Sequence, residues 1–336
     1  MFRNRSRLAL AVAAGALALT FLVPASPASA NVRVRRVALV YGDVINTTDW
    51  VSFLNSKGIT VDLVQAASAD SFNFSSDKTI LIADDTGSLN TWIGDAADVA
   101  RIDASKKPVV GIGEGGYAFF GQLGLNIGWP HGWHGAAHSI TPQAASQPIW
   151  PAPNHVTPTD PFDLYPADVN TVGIQVSAQA SSPGFTVMGL ELNPALDDHA
   201  DIAGQGVIGH SATGLPNGGR WRVLWGGSAS PSSMTANAQM LFVNLLGQKP
   251  KVTLSPHSGP AGTTSLGVTS VGFAGNEPLQ VKFDSTVVLT TTATDLAGAH
   301  ASVSFVVPPG TPAGRHTVKV KGTLSGLNTT ATFTVT

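Results

Sequence analysis

Apolar residues fall into short uninterrupted runs in the front two thirds of this chain and into strict alternation in the last quarter. Positions 37–41 form one such run, 48–57 has helical spacing and stops at Gly58, and 59–64 is strand-like again. A third strand is predicted at 79–83, a weakly periodic helix at 90–105 and a buried strand at 108–112. Short apolar runs read as strands buried on both faces, and their alternation with helices predicts a parallel sheet covered on both sides. The pattern loosens over 129–166, where Pro, Trp, His and Gly concentrate, and this predicts a long ordered insertion beside the sheet. Strands return at 172–176, 186–190, 206–208 and 221–225, and an amphipathic helix over 233–246 closes the region.

Beyond Lys249-Pro250 the residues are mainly Thr, Val, Gly and Pro in short alternating segments punctuated by turns. That pattern predicts an all-β, immunoglobulin-like sandwich over 251–336. The break at 248–251 predicts an α/β domain over 31–248 and a separate C-terminal domain, which limited proteolysis would release as two folded pieces.

The first thirty residues carry Arg3, Arg5 and Arg7, an apolar run over 8–23, and small residues ending at Ala30. This is the pattern of a secretory signal peptide, with Asn31 the expected mature N-terminus and a secreted, extracellular or cell-surface location. The apolar run is shorter than the ~20 residues a spanning helix needs, so no membrane span is expected after processing. Removing residues 1–30 takes away three arginines and no acid, so the formal charge of −2 becomes −5. With only Arg33, Arg35 and Arg36 clustered at the new end, nucleic acid is excluded as a partner. Cysteine is absent, which excludes disulfides, thiolate catalysis and cysteine-ligated zinc. Stability then rests on core size, and about 300 residues suffice for two cores.

Candidate chemistry concentrates at 108–119, Pro-Val-Val-Gly-Ile-Gly-Glu-Gly-Gly-Tyr-Ala-Phe, a strand breaking into a glycine-rich turn and then a helix. An open α/β sheet places ligands at such a turn, outside the carboxyl ends of its strands. Asp43 after the first strand, Asp84 and Asp85 after the third, and Glu114 after the fourth are predicted to share that edge. Clustered carboxylates there could split into an acid and a base, bind a ligand or hold a hard cation, while Glu114 alone also fits a helix-capping acid. His131, His134 and His138 recur at spacings of three and four, which suits either a metal site or hydrogen bonding that orders the insertion. His199, in Asp-Asp-His-Ala-Asp, is an acid-paired imidazole or a fragment of a calcium loop that lacks the motif's glycine and terminal Glu. Tyr117, Trp129 and Trp133 beside the turn suit stacking on sugar rings or packing of the insertion, whereas Trp50 and Trp92 are assigned to the core.

The opening strand at 37–41, the turn at 109–116 and the late Trp225-Gly-Gly before a terminal helix resemble the class I glutamine amidotransferase-like superfamily in its flavodoxin-like form, over about 31–248. The resemblance implies a cysteine nucleophile at the turn with a downstream histidine and an acid. Gly113 stands at the nucleophile position, and His210 is the residue matched to the downstream histidine. Without a side chain at the turn no acyl intermediate forms. The resemblance therefore implies a pseudoenzyme that binds a small polar or saccharide ligand around Gly113, Glu114, Gly115 and the neighbouring carboxylates. The alternative is a secreted hydrolase in which Glu114 works with a histidine or a metal-bound water. The sequence names no cofactor. Segments such as Val307-Pro-Pro-Gly-Thr-Pro-Ala-Gly resemble the IPT/TIG-type Ig-like repeats of secreted bacterial proteins, which implies a spacer or cell-surface contact module over 251–336.

Overall fold

The computed structural model describes residues 36–143, 147–182, 184–191, 199–207, 220–296, 298 and 300–336. The leader, Asn31 and His210 lie outside them.

The chain alternates through β1 (Arg36–Tyr41), α1 (Thr47–Ser56), β2 (Thr60–Gln65), β3 (Thr79–Ile82), α2 (Ala96–Ala104), β4 (Val109–Ile112) and α3 (Gly113–Gln122). It continues as β5 (Gly132–Ala137), β6 (Ser139–Pro142), β7 (Val169–Gln175), β8 (Phe185–Glu191), β9 (His199–Val207), β10 (Arg220–Trp225) and α4 (Ala236–Leu246). Strands β2, β1, β3, β4 and β10 lie side by side in that order, all parallel. Counted among themselves they run 2-1-3-4-5, the order of a flavodoxin-like sheet, whose direction of winding reverses between β1 and β3. Val37 to Val40, Ile80 to Ile82 and Val109 to Ile112 are buried, as strands covered on both faces require. Trp50 of α1 and Phe242 of α4 pack 5.0 Å apart on one face, and Trp92 packs 5.1 Å from Phe119 of α3 on the other. Burying each such ring contributes about 2–3 kcal/mol.

The parallel sheet does not end at β10. It continues antiparallel through β9, β8 and β6 to a two-residue strand, Phe162–Asp163, while β7 bridges β9 and β5. The long insertion is thus partly sheet: β5, Gly-Trp-His-Gly-Ala-Ala, escapes the hydrophobic pattern because it buries only its last residue. Helix α2 starts later than its periodicity suggests. Asp95 accepts from the backbone N–H groups of Ala97 and Asp98, and Asp98 answers to Asp95 N, a capping box that fixes the start.

The C-terminal quarter is all β: β11 (Lys251–Ser255), β12 (Ser265–Val271), β13 (Pro278–Phe283), β14 (Thr286–Ala293), β15 (His300–Val306), β16 (Gly314–Gly322) and β17 (Asn328–Val335). They form a three-stranded sheet, β11-β12-β15, and a sheet ordered β17-β16-β13-β14 with Ser258–Gly259 added at the β17 edge. Alternate residues point inward, Leu266 and Val268 from the first sheet meeting Leu279, Val281, Phe283, Val318 and Val320 from the second. This region docks on the α/β part: Gly275 N donates to Thr186 Oγ1 at 2.8 Å, Val187 N to Leu296 O at 3.2 Å, and the Asn276 amide to Ala180 O. Among the described residues no helix is long and apolar enough to cross a membrane.

Candidate functional site at the strand-to-helix elbow

Strand β4 enters α3 without an intervening loop. Ile112 is still extended and Gly113 has φ +48°, a left-handed conformation that glycine adopts without penalty. A Cβ at Gly113 would run into the carboxylate of Asp84 and the hydroxyl of Ser228. The place of a nucleophilic side chain is therefore occupied by groups from neighbouring strand ends. Glu114 N, the first amide after the turn, donates to Asp84 Oδ1 at 2.7 Å, so the donor that would steady an oxyanion is already engaged. Gly115 lets α3 approach the Ala83 carbonyl and the Thr86 hydroxyl, and Gly116 packs on Gly111 of β4.

Asp84 is half-buried. Burial pushes its carboxyl above the usual range, opposed by the hydrogen bonds from Glu114 N and Ser228. It borders a crevice of about 520 Å³ whose wall also includes Asn46, Asp49, Asp85, Ser228 and Ser230. The crevice sits where β1 and β3 end, the switch point at which open α/β sheets take ligands. Asp85 fixes its rim by accepting from Gly42 N at 3.1 Å, Asp43 N at 2.8 Å and Asn46 Nδ2 at 2.9 Å. Asp43 is engaged in a local turn, accepting from Ile45 N at 3.1 Å. Hydrogen bonds from Ser232 and Ser230 hold the Asp49 carboxyl below its ordinary range. Asp49 and Asp84, on one crevice, are thus shifted in opposite directions. No Lys, Arg or His lines this crevice among the described residues.

Beside the elbow, Glu114 Oε1 pairs with His134 Nε2 at 2.5 Å, the two side chains 26% and 39% exposed. The carboxylate accepts, so Nε2 carries the proton. Glu114 Oε2 also accepts from Leu89 N at 3.3 Å. Tyr117 is fully buried; its hydroxyl accepts from Gly132 N at 2.8 Å, and its ring meets Trp129 and His134 edge-on at 6.3 and 5.8 Å. Burial raises the Tyr117 phenol. Trp129 and Trp133 are 38% and 56% exposed, and Trp133 lies 6.3 Å from the buried ring of His199.

The three insertion histidines separate. Gln179 Nε2 donates to His131 Nδ1 at 3.2 Å, His134 holds Glu114, and His138 Nδ1 pairs with Asp168 Oδ1 at 2.5 Å. Spacings of three and four bring side chains together on a helix, but the extended run of β5 advances ~3.3 Å per residue and sends positions three apart to opposite faces. Among the described residues no group of three or more His, Cys, Asp or Glu is placed to hold a metal ion.

The carboxylates Asp43, Asp84, Asp85 and Glu114 do meet at one edge, because β1, β3 and β4 are adjacent and parallel. Ser228 was missed; its only signal is its place just after Trp225-Gly-Gly, at the end of the strand beside β4. Also missed were the pairing of Glu114 with His134 and a buried acid pair, Glu191 on β8 and Asp201 on β9. Burial raises Asp201 well above the ordinary carboxyl range, reinforced by the nearby Glu191 charge.

No family profile and no curated protein matches the chain significantly. Among solved structures it is similar to a Thermoplasma acidophilum protein provisionally named as a component of GMP synthase, at 12% identity and a TM-score of 0.37, over 64% of this chain and 93% of that one. It is also similar to Agd3, described as a carbohydrate deacetylase, at 10% identity and a TM-score of 0.42, over 68% of this chain and 34% of that one. Likenesses this distant assign no chemistry here.

Proposed function

We propose that the α/β part is a binding module that takes a small, neutral, polyhydroxylated ligand, a saccharide by chemical class, in the crevice at the β1/β3 switch point and performs no acyl chemistry. The observation that carries this reading is the filled elbow: Asp84 and Ser228 occupy the space a nucleophile needs beside Gly113. Carboxylates and hydroxyls from Asp49, Asp84, Ser228 and Ser230 suit hydrogen bonding to sugar hydroxyls, and a wall without cations disfavours phosphates. Exposed Trp129 and Trp133 add apolar faces beside the elbow. The amidotransferase-like ancestry, export directed by residues 1–30 and the Ig-like role of 251–336 as spacer or cell-surface contact belong to the same proposal.

The test is a fluorescence titration with neutral trisaccharides. The wild-type chain is expected to bind one of them saturably, and Asp49→Ala and Ser228→Val to weaken that binding tenfold or more with the fold intact. A chain that binds none, or variants that bind equally well, would overturn the reading. One observation favours a second reading, a hydrolase: the 2.5 Å pair of Glu114 and His134 in a half-open setting resembles an oriented acid–base couple. On that reading Glu114→Gln lowers turnover of a glycan substrate by about 10² to 10⁴; on the binding reading there is no turnover to lower.

A further inference from the structure

A second cavity, of about 550 Å³, lies at the opposite end of the parallel strands, in the seam between the α/β part and the C-terminal sheets. Its wall runs from the segment before β3 and the turn before β4 to the end of α4 and the start of β17. Two side chains there are buried with polar atoms that have no hydrogen-bond partner. Gln248, 6% exposed, has neither Nε2 nor Oε1 partnered, and Trp221, 3% exposed, leaves its indole N–H unpartnered. Asp77, on the same wall, is already engaged: burial and the charge and hydrogen bond of Asp62 push its carboxyl up to about 6. Leaving a buried polar group without a partner costs stability, and two such groups around one cavity are not explained by packing. Lys78 and Lys249, both exposed, stand on the same wall with Lys106 and Lys107.

These groups specify a ligand. Gln248 Oε1 calls for a hydroxyl donor, Gln248 Nε2 and Trp221 Nε1 call for oxygen acceptors, and the lysines call for an anion. We infer that the seam cavity is a binding site for a small hydroxylated anion, a sugar acid by chemical class, held by Gln248 and Trp221 with its charge against Lys78 and Lys249. The site is separate from the elbow crevice, whose wall is acidic, and it stands or falls independently of the function proposed there.

Calorimetric titration of the full chain tests this with three probes: D-glucuronate, D-glucose and inorganic phosphate. Glucuronate is expected to bind saturably, with glucose and phosphate each at least tenfold weaker, since one lacks the charge and the other the hydroxyls. The double variant Lys78→Gln/Lys249→Gln, altering two exposed side chains, is expected to weaken glucuronate binding at least tenfold without lowering the melting temperature. Gln248→Leu is expected to abolish binding and to raise the melting temperature of the free chain, as removal of an unpaired buried amide predicts. No saturable glucuronate heat, equal binding of phosphate, or binding indifferent to these variants would each overturn the site.

Discussion

Gly113 is where a single residue decides the chemistry. Its left-handed φ and the Asp84 and Ser228 oxygens lying where a Cβ would go are two separate obstacles to any side chain. A non-glycine residue in that conformation costs about 1–2 kcal/mol, and overpacking adds about 1–3 kcal/mol. Gly113→Ala is therefore expected to destabilise the chain by about 2–5 kcal/mol in urea denaturation. In an Asp84→Ala background the same change is expected to cost at least about 1 kcal/mol less, the signature of contact between the two positions. Equal costs in both backgrounds would show that Asp84 does not occupy the nucleophile's place. Gly113→Cys, by the same reasoning, is expected to lower stability without creating glutaminase activity.

Among the elements, β9 carries a buried acid at a break in its register. Gly189 of β8 faces Ile202 and Leu190 faces Ala200, so Asp201 is the extra residue of a bulge, buried beside Glu191. Its backbone carbonyl accepts from Gly226 N at 2.7 Å, which ties it to the segment leading to Ser228. A carboxyl whose folded pKa is raised favours the folded state below its unfolded pKa, and that contribution is lost as pH rises through the folded value. Asp201→Asn is expected to raise the melting temperature at neutral pH and to flatten the gain in stability on acidification; at about 2–4 °C per kcal/mol the change is readily measured. An unchanged pH profile would remove Asp201 from the account. Sequence pattern reveals β1, β3 and β4 because strands buried on both faces are unbroken apolar runs, and it reveals the carboxylates of the site because they follow those strands. It hides β5 and most of β9, where Gly, His, Asp and Gln interrupt any alternation. With β5 hidden, the meeting of His134 and Glu114 is hidden too, since it depends on the insertion folding back through β7.

At the scale of the whole molecule, the C-terminal sheets are docked through hydrogen bonds to β8 and share a buried cluster with the α/β part. The boundary proposed at 248–251 passes through buried Gln248 and exposed Lys249. Calorimetry of the full chain is expected to show one transition, because the seam couples the two parts; two well-separated transitions would show them independent. The crevice at the β1/β3 switch point is proposed to bind a neutral saccharide without transforming it. Amide-resolved NMR of the full chain with a neutral trisaccharide reads both halves of that claim in one sample. Shifts at Asn46, Asp49, Asp85 and Ser228 are expected to saturate with ligand, while the sugar's own signals stay unchanged on prolonged incubation. New sugar signals, or shifts confined to residues outside the crevice, would contradict it.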